Sequence, residues 1–467
     1  MLFNSLSFLL FFPLVCVVFF MIPTKATRWR NLFLLFSSYY FYMCWEPFYA
    51  LLILFCTIVT FLVALSMGKV AHKKFLLIAG IIANLAVLVF FKYHNFLASN
   101  INASMELSGL RMHVPLSSFM VPVGISFYTF QALGYMVDVY RGKVEAEKDF
   151  IAYALFVSFF PQLVAGPIER SNRLLPQFHA HHDYSHARMV SGLMIVLWGY
   201  FLKLVLADRC ALYTDVVFNN AFMYNGSSFL TASVLFTLQI YGDFAGYSFI
   251  AIGVARILGF RLCDNFRQPF FASSISDYWR RWHISLSSWF MDYVYIPLGG
   301  NRKGKLRTYI NLMTTFLVSG LWHGANWTYL LWGGLHGGLV CAERALGVNK
   351  AHFRGVRRIL GVCLTFFLLC LAFIVFRSSN LTTVVYVFDQ ILHNMGRPRM
   401  EVANFLAVAI AVVILFLRDF SAENHRNLLP RRGVKRSVAI FSYIVLMTVL
   451  ILAFGVLDGS QFIYFQF

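Results

Sequence analysis

The stretch Phe48–Met67 reads FYALLILFCTIVTFLVALSM, with no charged side chain. An α-helix needs about 20 such residues to cross a hydrocarbon layer of roughly 30 Å. In lipid the backbone must satisfy its own polar groups, and a helix does so. Runs of the same kind recur at Leu2–Ile22, Phe75–Phe91, Met189–Leu206, Ile359–Phe376, Val402–Leu417 and Val438–Val456. Shorter or interrupted apolar stretches lie at Leu32–Trp45, Phe119–Tyr140, Ile151–Ala165, Phe229–Tyr241, Phe244–Gly259, Tyr309–Trp322 and Trp327–Cys341. Together they predict an all-α polytopic membrane protein of roughly 10–12 transmembrane helices with some re-entrant segments. Pro161 marks Ile151–Ala165 as a broken or re-entrant helix. Long unbroken runs, rather than short alternating ones, argue against a β-barrel. No internal repeat, soluble domain or long linker is visible, so residues 1–467 read as a single membrane-embedded domain.

The composition agrees. Of 467 residues, 59 % are hydrophobic and 13 % charged, and the mean hydropathy is +0.68. A soluble domain is about 45–50 % apolar and about 25 % charged, so a soluble enzyme, a disordered chain and an ordinary nucleic-acid-binding domain are excluded. Aromatic residues reach 18 %, which suits interfacial belts. The formal net charge is nevertheless +19, from 39 Lys+Arg against 20 Asp+Glu. Much of the excess lies in three loops: Lys25, Arg28 and Arg30; Lys69, Lys73 and Lys74; and Arg426, Arg431, Arg432, Lys435 and Arg436. The positive-inside rule places these loops in the cytoplasm and Met1 outside. It also turns the tail 457–467 outward. Leu2–Ile22 has no basic lead or small-residue cleavage site and reads as a retained span. The eight cysteines mostly sit inside apolar runs without a C-x-x-C pair, as free hydrophobic thiols do. The run His179–His186 contains four histidines; a solvated loop is preferred there over a metal site, because nothing fixes its geometry.

Chemistry concentrates in three places. In Ser274–Ser285 (SISDYWRRWHIS), Asp277 and Arg281 are four apart, and Arg280 and His283 three apart, so each pair can meet on a helix. Asp277, Arg280 and Arg281 at mid-depth in lipid would cost about 3 kcal/mol each, roughly 9 in all. They must face headgroups, a wet cavity or each other, and an interfacial amphipathic helix is an equal alternative to a functional site. In Gly320–Trp327 (GLWHGANW), His323 interrupts an apolar run, and an intramembrane histidine is a functional candidate by default. Gly320 and Gly324 allow close helix packing; Trp322 is adjacent, and Asn326 can share the histidine's face. The competing reading is a packing histidine bonded to a carbonyl, and that reading is preferred for His336. Third, Asp243 lies between two apolar runs with Gly242 and Gly246 nearby, either as the buried partner of an arginine or in a turn between helices.

Five blocks then carry a resemblance: VPVGISFYTF (121–130), VAGPIER (164–170), YWRRWHISLS (278–287), IPLGGNR (296–302) and LWHGANWTY (321–329). On these the chain resembles the membrane-bound O-acyltransferase family, and within it the bacterial alginate O-acetyltransferase branch. The likeness runs over nearly the whole chain and implies a helical bundle around a central tunnel, with a catalytic core segment at 268–345. The family's paired positions fall on His323 and His283. The resemblance implies acyl transfer from a cytosolic thioester, acetyl-CoA or an acyl carrier, to a hydroxyl. In that branch acetyl reaches an extracytoplasmic polysaccharide such as alginate, cellulose or peptidoglycan through an external O-acetyltransferase partner. The expected place is the bacterial cytoplasmic (inner) membrane, among lipids, with no tightly bound cofactor, no metal and no nucleic acid. An imidazole can take the hydroxyl proton during attack on the thioester, and His283 can orient the acceptor or polarise the carbonyl. Arg280 and Arg281 would bind donor phosphates or, the preferred role, support the fold through Asp277. Asp243, Trp322 and Asn326 would line the tunnel or the donor site. The ending QFIYFQF (461–467) is similar to those of alginate-type acetyltransferases and of a small D-alanylation peptide. It makes Tyr464 either an acyl relay or an interfacial aromatic anchor. Two alternatives stay open: transfer of D-alanyl or another acyl group from a carrier protein, and a transporter or lipid-handling channel using the same cavity.

Overall fold

A computed structural model describes residues 1–110, 112–348, 353–398, 401–425, 433–457 and 462–463. Tyr464 and the cluster Arg426, Arg431 and Arg432 lie outside the described residues. Every regular element among those described is helical. The chain forms two compact units. Unit 1 comprises Met1–Gly192 and Val254–Cys263, and unit 2 comprises Leu193–Gly253 and Asp264–Phe467.

Six helical stretches among the described residues are long and apolar enough to cross a membrane. These are Pro47–Met67, Lys73–Leu107, His186–Asn219, Gly355–Arg377, Val402–Glu423 and Val434–Phe454. Leu6–Met21 and Phe150–Leu163 are shorter apolar helices. This is the anatomy of a multi-pass membrane protein. The last span, α19 (Val434–Phe454), exposes Val438, Phe441, Val445, Val449 and Leu452 along its length, a face suited to lipid.

Unit 1 begins with α1 (Leu6–Met21), α2 (Thr27–Met43), α3 (Ala50–Met67), α4 (Lys73–Leu107) and α5 (Ile125–Tyr140). The chain then breaks at Phe159, between α6 (Phe150–Ser158) and α7 (Phe160–Leu163), with Pro161 in the first turn of the second piece. The buried side chains of Gln131 and Gln162 both donate to the Phe156 carbonyl near this break, at 2.6 and 2.9 Å. Helix α4 outruns the expected end at Phe91 and reaches Leu107. Its polar second half clasps the following loop: Asn95 pairs with the main chain of Ser117 at 2.7 and 2.9 Å, and Asn102 pairs with that of Val114 at 2.8 and 3.0 Å. After α8 (Ser171–Phe178), His179 meets Glu147 at 2.9 Å, and His182 reaches the Gln177 carbonyl at 2.7 Å.

Unit 2 takes in the greater part of α9 (His186–Tyr200), a π-helical segment Phe201–Ala207, α10 (Asp208–Asn219) and most of α11 (Gly226–Leu258). Here the sequence reading needs correction. Phe229–Tyr241 and Phe244–Gly259 are one continuous helix, so Asp243 is mid-helix rather than in a turn. Nor is its partner an arginine: Lys203 Nζ stands 2.7 Å from its carboxylate. Glycines make that approach possible. A Cβ at Gly246 would lie 2.8 Å from the Gly199 carbonyl oxygen, and one at Gly199 would lie 2.6 Å from that of Gly246.

The remaining elements are α12 (Ile275–Arg281), α13 (Ile284–Phe290), α14 (Gly304–His323), α15 (Trp327–Ala345), α16 (Gly355–Arg377), α17 (Leu381–His393), α18 (Val402–Glu423) and α19. Helices α14 and α15 form a tight antiparallel pair. A Cβ at Gly320 would collide with the Tyr329 carbonyl, and one at Gly333 with that of Phe316. Gly320→Val should therefore force α14 from α15, lowering the melting temperature in detergent by an amount matching a destabilisation of about 1–3 kcal/mol or more. Gly338→Val serves as the control, because nothing lies within 4 Å of a Cβ there.

Candidate active site

The short helix α12 is held at both ends. Ser274 caps its N-terminus, accepting from the Asp277 amide at 3.1 Å. Glu343 of α15 accepts from the Ile275 and Ser276 amides at 2.6 and 2.8 Å, a carboxylate at the positive end of the helix dipole. At the other end Arg281 bonds Asp277 at 3.1 Å and Glu423 of α18 at 2.7 Å, and Arg358 of α16 joins Glu423 at 2.6 Å. Arg281 thus ties Asp277 of its own helix to Glu423 of α18. Arg280 is exposed and does not share that network.

Helix α12 ends at Arg281, so Arg280 and His283 do not meet along a helix as their spacing suggested. His283 lies instead in the connection to α13, with φ +43° and ψ +52°. A non-glycine residue there stores about 1–3 kcal/mol of strain. Asn265 holds it in place. The Asn265 carbonyl accepts from the Ile284 amide at 3.0 Å, and its Oδ1 accepts from the Ser285 amide at 3.2 Å and the Ser285 hydroxyl at 2.9 Å. Those donors fix the side-chain oxygen toward the histidine, whose Nδ1 is 3.2 Å away. Nδ1 is then the protonated nitrogen, and Nε2 carries the lone pair. His283 is wholly buried. Burial, and secondarily the neighbouring His323, push its imidazole well below the usual range, so it is neutral at physiological pH.

His323 is the last residue of α14 and is also buried. Trp322 lies beside both histidines, its ring centroid 5.8 Å from that of His283 and 5.1 Å from that of His323. Trp332 and Phe376 also pack near His323, at 5.0 and 5.6 Å, and Phe244 meets His283 edge-on at 4.5 Å. His336 stands behind this wall, 4.7 Å from Trp332, with the Trp279 indole donating to its Nδ1 at 3.3 Å. The fold thus brings His283, Trp322 and His323 into one aromatic enclosure. Asn326 does not share the His323 helix face. It caps α15, accepting from the Thr328 amide at 3.1 Å and donating to the Ser379 carbonyl at 2.7 Å.

Sequence reading missed two residues. Asn265 sits in an irregular stretch with no motif to flag it. Lys203 gave a usable signal, a single cation inside the apolar run Met189–Leu206, and it is wholly buried between Asp243 and Asp208 at 2.7 and 2.8 Å.

The profile of the membrane-bound O-acyltransferase family matches residues 146–385. The chain belongs to that family. It is 40 % identical over 446 residues to a probable alginate O-acetylase of Pseudomonas aeruginosa, covering 92 % of this chain and 84 % of the relative. A peptidoglycan O-acetyltransferase of Helicobacter pylori is 35 % identical over 421 residues, 83 % of this chain and 79 % of its own length. A teichoic acid D-alanyltransferase of Streptococcus thermophilus is 28 % identical over 281 residues, 54 % and 68 % respectively. The protein is an O-acyltransferase, which sets aside the channel alternative. His283, His323 and their aromatic wall all lie inside the matched segment.

A pH dependence follows from the depressed His283. Its contribution to stability is complete above the unfolded value of about 6.5 and declines as pH falls below it, because only the unfolded imidazole takes up the proton. Each pH unit in that window removes about 1.4 kcal/mol. Melting curves from pH 8 to pH 5 should show this slope in the wild type and a shallower one in His283→Gln.

Proposed function

We propose that the protein moves an acetyl group from a cytosolic thioester, acetyl-CoA foremost, toward O-acetylation of an extracytoplasmic polysaccharide. Its expected place is the bacterial inner membrane. The observation that carries this reading is the pair of buried histidines flanking Trp322 within the family-matched segment. His323 acts as the general base. As the acceptor hydroxyl oxygen attacks the thioester carbonyl, His323 takes the hydroxyl proton. The C–S bond then breaks, and the imidazolium returns a proton to the departing thiolate. His283 presents a lone pair at Nε2, which suits orienting an acceptor hydroxyl rather than polarising a carbonyl. Tyr464 is proposed as the acceptor that passes the acetyl group to an external transferase.

Acetyl is favoured over D-alanyl because the two O-acetyltransferase relatives match more of the chain at higher identity. Alginate and peptidoglycan are both candidate end acceptors, and a polysaccharide O-acetyltransferase outside the membrane is the expected partner.

Purified protein given labelled acetyl-CoA should transfer or release label, and His323→Ala should lower the rate by about 100-fold or more while remaining folded and membrane-inserted. Equal turnover in the two would remove His323 from the mechanism. Label accepted only from a D-alanyl carrier would select the other donor. In cells, Tyr464→Phe should abolish polymer acetylation; unchanged acetylation would return Tyr464 to an anchoring role.

A further inference from the structure

The π-helical segment Phe201–Ala207 interrupts the α9–α10 span. A π turn shifts the backbone bonding pattern and often marks a functional position. Here the Leu204 carbonyl accepts from the amide of Val456, just beyond the end of α19, at 3.0 Å. Arg209 donates to the Phe454 carbonyl at 2.7 Å. Further along the same terminal segment, the Ile463 amide donates to Asp243 Oδ2 at 2.6 Å. The end of the chain is thus gripped at three points, two on the π segment or the first turn of α10 and one on α11.

The third grip has a charge logic. Lys203 carries one positive charge against the two carboxylates of Asp243 and Asp208, all three buried. The formal sum of the three is −1. A buried surplus carboxylate needs hydrogen-bond donors, and a bond from a neutral amide to a charged acceptor is about twice as strong as a neutral pair. A main-chain N–H delivers this without introducing a second cation. Beside it, Phe462 is wholly buried, its ring 4.5 Å from Tyr247 and 5.9 Å from Phe244. Phe244 is the ring that meets His283 edge-on. The described end of the chain therefore stands one aromatic ring from His283.

We infer that the Lys203–Asp208–Asp243 cluster is a receptor for the chain's own C-terminal segment, with Asp243 as the positioning residue that seats Phe462 and Ile463 against the wall of the His283 enclosure. The docking stands on contacts alone. Its consequence for turnover rests on the acetyl-transfer reading above.

Two readouts on the full-length protein in lipid nanodiscs test this separately. The first is hydrogen–deuterium exchange resolved at the Ile463 amide. That amide should be protected in the wild type and exchange at least tenfold faster in Asp243→Ala. Phe462→Ala leaves the ion cluster intact and should release the same amide, which keeps the test decisive if Asp243→Ala fails to fold. The second readout is turnover of labelled acetyl-CoA, where Phe462→Ala should lower kcat at least tenfold with KM for the donor unchanged. An Ile463 amide that exchanges equally fast in the wild type and Phe462→Ala would overturn the receptor. An amide released by Phe462→Ala with kcat unchanged would overturn the positioning role. A wild type that protects Ile463 yet turns over no acetyl-CoA would uphold the receptor and sink the acetyl reading instead.

Discussion

Unit 2 depends on one buried cation. Removing a charge from water costs several kcal/mol per ion even after relaxation, and only close, well-satisfied partners offset that cost. Lys203 has two such partners at 2.7 and 2.8 Å. They come from different elements, Asp208 from the start of α10 and Asp243 from the middle of α11. The glycines at 199 and 246 follow from this requirement, since any side chain there would hold the two helices apart. So does the placement of Phe244, next to Asp243 on α11, as the ring that bounds His283. Deleting the lysine charge would leave two buried carboxylates without their counter-ion, at about 3–5 kcal/mol. The electrostatics of this buried cluster and the shape of the His283 enclosure are therefore one constraint.

The enclosure itself is made of rings. Trp322, Trp332, Phe376 and Phe244 surround two imidazoles, while the nearby charges are turned to structural bonds. Burial in such a wall favours the neutral form of an imidazole. Asn265 adds the remaining element, a fixed tautomer at His283. None of this needs a charged side chain inside the enclosure, which agrees with the sparse charge of the whole chain.

How much of this could be read from sequence varied with the range of the interaction. Phe48–Met67, Ile359–Phe376 and Val402–Leu417 reappear as helices because a helix in lipid needs only its own apolar residues. The Asp277–Arg281 pair was legible because four residues make one turn. Tyr241-Gly242-Asp243 looked like a break because glycine and aspartate disfavour a helix in isolation. Across the contact, Lys203 satisfies the aspartate and close packing requires the glycines, so the helix runs through. Helix α4 outran its apolar run Phe75–Phe91 for a related reason: the side-chain amides of Asn95 and Asn102 bind the main chain of residues 117 and 114, contacts no local pattern reveals. Asn265 was silent because its role exists only once residues 283–285 have turned back on it. His323 stood out as a histidine in an apolar run and motif likeness paired it with His283, whereas the contact of Trp322 with both rings exists only in the fold.

The left-handed backbone at His283 has an evolutionary side. Asparagine and glycine tolerate that conformation far better than histidine does. Drift under selection for stability alone would favour them at this position, and the resulting protein would be sturdier. A histidine at this position costs the chain stability that asparagine or glycine would return. The same reasoning offers His283→Asn as a route to a sturdier form of the protein.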